Sequence, residues 1–178
     1  TGDTPAPVGG GGLLAEPYRW AELEQLVYSP HRWERRLVGS TIATIPFVDR
    51  TAGRMPAVAA RGLAILEELV GDREPDVAKA ISWALRNLRF VDADAVAAFL
   101  RREAATAGAT DDGHRAWVVR DTFEKLTPDL VAELRALLGD VRRRPGAPST
   151  SRAAVTAAAF AGLGLDVPPA ERPLVPRT

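Results

Sequence analysis

The stretch that decides the fold is EPDVAKAISWALRNLR, residues 74–89. Pro75 is typical of the first turn of a helix, and the apolar residues that follow recur at helical spacing. Lys79, Trp83 and Arg86 stand at i, i+4 and i+7, so their side chains share one stripe of that helix. The stripe is compatible with a surface that meets a polyanion. Spacing alone favours the other interpretation, a Trp packed between helices with the aliphatic stems of the two cations lying across it.

Proline and capping residues divide the rest of the chain into further helices. Ser29 and Asp92 are predicted N-caps, Gly71 and Gly139 are predicted stops, and Pro46 should end or kink its helix near Ile45. No segment shows the period-two alternation of a strand. The predicted helices cover residues 13–28, 30–48, 56–70, 75–89, 93–106, 114–126 and 128–138, and an Ala-rich helix from Ser151 to about Ala161.

The predicted helices come in pairs, and a pair of about 40 residues begins at Pro30 and again at Pro75, which is typical of HEAT-like repeats. The predicted fold class is therefore all-α, with HEAT-like repeats forming a curved superhelix. Residues 13–140 form the predicted repeat domain. Residues 1–12 are a Gly-rich flexible lead or the remnant of a truncated helix, since the chain opens on Thr1 without Met. Residues 141–178 are a basic Pro/Ser linker, one short helix and an irregular tail.

Composition limits the function classes. The 178 residues are 46% hydrophobic and 26% charged, as in ordinary globular proteins, and 23 basic residues balance 23 acidic ones. Binding to nucleic acid must therefore come from local patches. With no Cys and two His, the chain lacks the material for a disulfide framework or a thiolate metal site, so we expect no metal, no cofactor and a cytoplasmic monomer. No apolar run has the length of a membrane span.

The familiar catalytic signatures for phosphate loops, serine hydrolases, zinc proteases and dinucleotide binding are absent, so helix faces are the candidate sites. In a solenoid, equivalent helices line one groove, and a merged basic and aromatic surface there would suit a nucleic-acid backbone. For Trp117, packing in the core is the favoured interpretation. Two further helices place an aromatic beside a cation, one with Trp33, Arg36 and Ser40, the other with His114, Trp117, Arg120 and Asp121.

Three segments carry a resemblance to a known family: RWERRLVGSTIA at 32–43, DVAKAISWALRNL at 76–88 and HRAWVVRDTFEKL at 114–126. Together they resemble the DNA alkylation repair family, the AlkD-like HEAT-repeat DNA glycosylases, over roughly residues 13–126. The KAxxWxLR element is the most specific part. The resemblance implies a helical superhelix that binds double-stranded DNA in its concave groove. It also implies hydrolysis of the N-glycosidic bond of cationic N3- or N7-alkylated purines without a metal.

The resemblance also implies roles for particular residues. Trp83 would correspond to an aromatic that contacts the sugar of the damaged nucleotide, and Arg36 to an arginine that contacts DNA. The family's essential carboxylate falls on Asp3, roughly 30 residues before Trp33 and four before Pro7. The tryptophan that the family places one turn earlier would precede Thr1. The resulting site prediction has Asp3 and Trp83 as catalytic residues, with DNA contacts from Trp33, Arg36, Ser40, Lys79, Arg86 and Arg120.

Two other functions are compatible with the same residues. One is a non-catalytic helical scaffold that binds a protein through the groove, which zero net charge favours. The other is a DNA-binding relative without glycosylase activity. The alignment of cations with Trp on successive helices favours DNA as the partner.

Overall fold

The computed structural model describes the backbone of residues 10–162 and the side chains of residues 11–160. Within these residues all regular structure is helical, as predicted, and two 3₁₀ turns lie at Ala52–Arg54 and Phe123–Lys125. The helices are α1 Gly10–Ala15, α2 Arg19–Leu26, α3 Arg32–Val48, α4 Pro56–Leu69, α5 Pro75–Leu88, α6 Ala93–Thr110, α7 Gly113–Asp121, α8 Pro128–Leu138 and α9 Arg152–Gly162.

The helices form two layers. In one layer α1, α3, α5 and α7 pack side by side in chain order, and in the other α4, α6 and α8 do the same. Consecutive helices pair across the layers, as α4 does with α5 and α6 with α7. This is the helical repeat arrangement that the pairing predicted. Fully buried apolar side chains fill the space between the layers, among them Ile42, Leu66, Ile81, Leu85 and Phe99.

Most predicted helix ends are confirmed. The Asp92 carboxylate accepts a hydrogen bond from the Ala95 N–H at 2.9 Å, which caps α6. Gly71 and Gly139 follow α4 and α8 with φ of 98° and 50°, a backbone conformation that glycine adopts without steric cost. The last predicted helix is also present, and the Ser151 hydroxyl accepts from the Ala154 N–H at its start.

The predicted helix over 13–28 is wrong in detail. It is two helices, α1 and α2, and Pro17 lies in the turn between them. Proline disfavours a helical conformation in the residue before it, so the chain breaks there and restarts. The first helix begins at Gly10, inside the predicted flexible lead. Leu13 explains this, because its side chain is buried in the core and anchors α1.

The start of α3 also differs from the prediction. Its N-cap is His31, and the Ser29 hydroxyl accepts a hydrogen bond from the His31 N–H instead of capping the helix at Pro30. The carbonyls of Ser29 and Pro30 both accept from the Arg35 guanidinium, at 2.9 and 3.1 Å. A long-range ion pair between Arg35 and Asp72, at 2.7 Å, fixes that guanidinium. The carbonyls are thus satisfied without a helical turn.

The end of α3 agrees with the predicted bound at Val48, but the helix does not end near Ile45, since it continues through the buried Pro46. Two other helix ends differ from the prediction. Helix α6 continues to Thr110 and stops at Asp111, whose φ is 55°. Helix α7 ends at Asp121 and passes into the second 3₁₀ turn.

Residues 141–151, predicted as a solvated linker, lie against the helical body. The Thr150 N–H donates to the Gly71 carbonyl at 2.9 Å, and the Arg73 N–H donates to the Ser149 hydroxyl at 2.9 Å. The Thr150 hydroxyl donates to the Asp112 carboxylate at 2.5 Å. These bonds tie the segment to the α4–α5 and α6–α7 connections, both at the same end of the layer.

A close approach between α3 and α5 positions the candidate site. A Cβ placed on Gly39 would lie 2.8 Å from the carbonyl carbon of Ala80 and 2.9 Å from its Cβ. The two helix backbones therefore touch at a point that admits only glycine without movement. One turn later in α3 and about two turns later in α5, the Asn87 side-chain amide donates to the Ala43 carbonyl at 2.7 Å.

Candidate nucleic-acid interface

A cleft of about 380 Å³ opens along the contact between α3, α5 and α7. The residues that line it come from all three helices, and most are polar or charged. Five of the predicted site residues are among them, which places Arg36 and Trp83 on the same surface. The lining residues are Arg36, Ser40, Asp76, Lys79, Ala80, Trp83, Arg86 and Asp121.

Trp83 stands open to this cleft. Its side chain is 40% exposed, whereas Val77, Ile81 and Leu85 on the opposite side of α5 are fully buried. The aliphatic residues of α5 thus pack in the core, while its indole is exposed to solvent. An exposed indole face beside cations can stack against a sugar or a base.

Trp33 lies on the same helix as Arg36 but beyond the cleft lining. It is 56% exposed, and the guanidinium groups of Arg32 and Arg36 lie 4.7 and 5.9 Å from its ring centroid. Arg36 therefore connects this second indole to the cleft. The two predicted aromatic contacts, Trp33 and Trp83, are both accessible to a ligand that covers α3 and α5.

The cations of the cleft are not equivalent. Arg86 Nη1 lies 3.7 Å from the Asp121 carboxylate and 3.3 Å from that of Glu124, so its charge is compensated within the protein. Arg36 and Lys79 have no carboxylate within 4 Å among the described residues. Both side chains are exposed. They are the cleft cations available to phosphate.

Two carboxylates also line the cleft. Asp121 is engaged by Arg86 and accepts a hydrogen bond from the Ser82 hydroxyl at 2.5 Å. Asp76 has no ion pair in the described part of the chain and lies in the first turn of α5. The site prediction from sequence missed Asp76. Its signal was available, since it precedes Lys79 by three residues and Trp83 by seven and so shares their stripe.

Asp3, the predicted catalytic carboxylate, lies outside the described residues, as does Pro7. Its role stays a prediction from the family resemblance. Within the described chain, Asp76 and Asp121 are the carboxylates that line the cleft together with Trp83.

The predicted face of α7 does not join the cleft apart from Asp121. Arg120 points to the chain after α8, where it donates to the carbonyls of Val141 and Gly139 at 2.5 and 3.1 Å. Burial lowers the pKa of Arg120 from its ordinary value, with the charge of Arg142 adding to the effect. Its guanidinium satisfies carbonyls at the C-terminus of α8, a common role for a cation.

Trp117 and His114 belong to the same packed region. Trp117 is partly buried against the core, and the Arg143 guanidinium lies 5.7 Å from its ring centroid. The buried His114 ring accepts a hydrogen bond from Arg143 Nε and lies 3.0 Å from the Ala147 carbonyl oxygen. Packing in the core, the favoured interpretation of Trp117, agrees with this placement.

Among the described residues, no three or more His, Asp and Glu side chains form a group that could hold a metal ion. Residues 10–162 also include no helix with the length and apolar character needed to cross a membrane.

The fold and the cleft define a helical repeat protein with a cation-flanked tryptophan on the layer formed by α1, α3, α5 and α7. The model of the DNA alkylation repair enzyme family matches residues 1–126. The chain belongs to this family, which gives it a role in DNA alkylation repair and DNA as its partner. Comparison with curated proteins and comparison with solved structures each gave no match.

Proposed function

We propose that the protein is a metal-independent DNA glycosylase that excises cationic N3- or N7-alkylated purines from double-stranded DNA. Family membership supports alkylation repair. The observation that carries the proposal is the position of Trp83, open at a cleft with two uncompensated cations and a carboxylate around it. We also propose that the repeats are HEAT-like and that the protein is a cytoplasmic monomer.

The proposed reaction cleaves one bond and needs no external oxidant or reductant. The bond between C1′ of the deoxyribose and the purine nitrogen breaks, and its electron pair goes to the alkylated base. Because the base was cationic, it leaves as a neutral molecule without prior protonation. The sugar becomes an oxocarbenium ion, to which water adds, and the water proton passes to a carboxylate or to solvent. The product is an abasic site.

The reaction requires groups that bind the phosphates, stabilise the oxocarbenium ion and accept the water proton, and the cleft residues are candidates for each role. Arg36 and Lys79, which are exposed and have no ion pair in the described chain, would bind the phosphates of the damaged strand and fix its position. The exposed face of Trp83 can lie against the deoxyribose, where its negative π-face stabilises positive charge on C1′ and O4′. A carboxylate near the same atoms stabilises the oxocarbenium ion and accepts the water proton.

Three carboxylates are candidates for that last role. Asp3 is supported by the resemblance to the family. Asp76 is supported by its place on the stripe of Trp83 and by the absence of an ion pair in the described chain. Asp121 also lines the cleft, but its charge is already compensated by Arg86, and it accepts a hydrogen bond from Ser82. We therefore rank Asp121 below the other two.

Release of 7-methylguanine and 3-methyladenine from methylated duplex DNA tests the proposal. The assay contains a chelator, and freed bases are quantified by chromatography. We compare Asp3→Asn, Asp76→Asn and Asp121→Asn, each of which keeps the side-chain size and removes its charge. Loss of one well-placed electrostatic contact costs on the order of a hundredfold in rate. The carboxylate that stabilises the oxocarbenium ion should show that loss, while duplex binding and helicity stay at the wild-type level.

Asp121→Asn needs a thermal unfolding control because it also releases Arg86. If the folded wild-type protein binds duplex DNA and releases neither base, the glycosylase proposal is wrong. The chain is then a DNA-binding member of the family without the chemistry. The helical scaffold is favoured instead if the folded protein does not bind duplex DNA at all, in agreement with its zero net charge.

A further inference from the structure

An exposed aromatic pair lies at the C-terminal ends of α3 and α5. Phe47 and Phe90 are 44% and 48% exposed, and their ring centroids are 5.6 Å apart with the planes at 76°. Large apolar side chains that stay exposed side by side often mark an interaction surface. We call Phe47, Phe90, Arg54 and Arg89 the aromatic platform.

Two arginines cover this pair. The Arg54 guanidinium lies 5.8 Å from the Phe47 centroid and 5.9 Å from the Phe90 centroid, and Arg89 lies 4.4 Å from the Phe90 centroid. A guanidinium that stacks on a ring uses its face and keeps its N–H edge for a partner in its own plane. That geometry suits the oxygens of a phosphate.

The two arginines have few partners in the described chain. Arg54 Nε donates to the Pro46 carbonyl at 3.0 Å, and neither Arg54 nor Arg89 has a carboxylate within 4 Å among the described residues. Arg89 Nε is buried and has no hydrogen-bond partner within that part of the chain. Arg61 differs, because it covers the Trp20 ring but also binds the Glu24 carboxylate at 3.2 Å. The platform therefore presents uncompensated positive charge.

The platform continues the surface of the cleft. Phe90 follows Trp83 by seven residues, and Phe47 follows Ser40 by seven. Seven residues are nearly two helical turns, so Phe47 lies on the face of α3 that lines the cleft. Phe90 lies two residues beyond the end of α5 and packs against Phe47. The same interval is about 10 Å along the helix axis. Along one DNA strand that distance corresponds to about three nucleotide steps.

We propose that the aromatic platform binds the duplex flanking the lesion, with Arg54 and Arg89 on phosphates and the two phenyl rings against deoxyribose. This inference rests on the proposed function, because it takes DNA in the cleft as its starting point. Charge complementarity and continuity with the cleft favour DNA over an apolar protein partner. The flanking contact would set the register of the duplex and so present the damaged nucleotide to Trp83.

Salt-dependent binding of a 20-base-pair duplex tests this inference on the full chain. Each phosphate that is neutralised contributes about 0.9 to the slope of log affinity against log salt concentration. The double variant Arg54→Gln with Arg89→Gln should therefore flatten the slope by about 1.8. Phe47→Ala with Phe90→Ala should weaken binding by about tenfold, since a phenyl ring that lies against a deoxyribose removes apolar surface from water. That variant should leave the slope unchanged.

Matched controls separate the platform from general surface effects. Arg102→Gln removes an exposed arginine from α6 in the other layer, and Phe160→Ala removes a 53% exposed phenyl from α9. Both should bind like the wild type. Equal helicity and equal unfolding temperature in all variants would exclude loss of folding as the cause.

The remaining outcomes overturn the inference in distinguishable ways. If the slope and affinity of both platform variants match the wild type while Arg36→Gln with Lys79→Gln flattens the slope, the platform does not contact DNA and the proposed function stands. If the platform variants lose affinity for single strands alone, the platform binds single-stranded DNA and not the flanking duplex, so this inference is wrong while the proposed function stands. If the wild type does not bind duplex DNA, the proposed function fails and the platform inference fails with it.

Discussion

Replacing Gly39 by alanine would test the contact that positions the cleft. The new Cβ would lie 2.8 Å from the Ala80 carbonyl carbon, where ordinary contact begins at 3.4 Å. The obstacle is backbone, which cannot rotate away, so α3 and α5 must separate. Overpacking of this kind costs about 1–3 kcal/mol. The higher helix propensity of alanine than of glycine offsets about 1 kcal/mol of that cost.

We therefore expect Gly39→Ala to lower the free energy of unfolding by up to about 2 kcal/mol. For a chain of this size that corresponds to a fall of up to about 8 °C in unfolding temperature. Separation of the helices also moves Arg36 away from Trp83. A misplacement of about 1 Å can cost a hundredfold in rate, so base release should fall by at least tenfold.

Thermal unfolding followed by circular dichroism measures the first effect, and single-turnover base release measures the second. The matched control is Gly12→Ala in α1, where the new Cβ would meet only the flexible side chain of Arg19 at 3.4 Å. That substitution should raise stability by up to about 1 kcal/mol and leave base release unchanged. A rise in stability for Gly39→Ala as well would refute the reasoning, because it would mean that α3 and α5 separate at no cost.

Three further predictions concern the cleft and the core. Trp83→Ala should slow base release more than it weakens duplex binding, because the indole acts on charge that develops in the transition state; single-turnover rates and fluorescence anisotropy measure the two effects. Arg36→Glu with Lys79→Glu should abolish duplex binding at physiological salt, and unchanged affinity would favour the protein scaffold. Burial raises the pKa of Glu103 above its ordinary value of 4.5, so the folded state keeps a proton that the unfolded chain has released. The contribution of Glu103 to stability should therefore fall as the pH rises from 4.5 through the raised pKa, and the difference in unfolding free energy between the wild type and Glu103→Gln should change over that window.

The helix that organises the fold was predictable because its signals are local. Pro75 sets its start, and the spacing of its apolar residues fixes which side is buried, so the stripe of Lys79, Trp83 and Arg86 follows from the sequence. The start of α3 was not predictable in the same way. Ser29 and Pro30 have the composition of a cap, but Arg35 takes their carbonyls because Asp72, 37 residues away, holds its guanidinium.

In the candidate site too, features that depend on local sequence were predictable, and features that depend on contacts between distant residues were not. That Arg36 and Trp83 face one cleft could be inferred from helical spacing and repeat pairing. The close approach of Gly39 to Ala80 depends on how two helices pack, and nothing in either helix alone reveals it. Asp76 could have been found by extending the stripe of Trp83 back by two turns.

The cations that looked equivalent in the sequence have different partners in the structure. Which of them are free to bind phosphate determines how strongly the DNA affinity should depend on salt. Arg86 is compensated by Asp121 and Glu124, and Arg120 holds the end of α8. Two cleft cations, Arg36 and Lys79, then remain for phosphate, which predicts a salt slope of about −1.8 from the cleft and not the roughly −3.6 expected of all four. If the two arginines of the aromatic platform add their own contacts, the slope returns to about −3.6 from a different set of residues. The single variants distinguish these cases, since Arg120→Gln should leave the slope unchanged in either one, whereas Arg54→Gln should flatten it by about 0.9 only if the platform binds DNA.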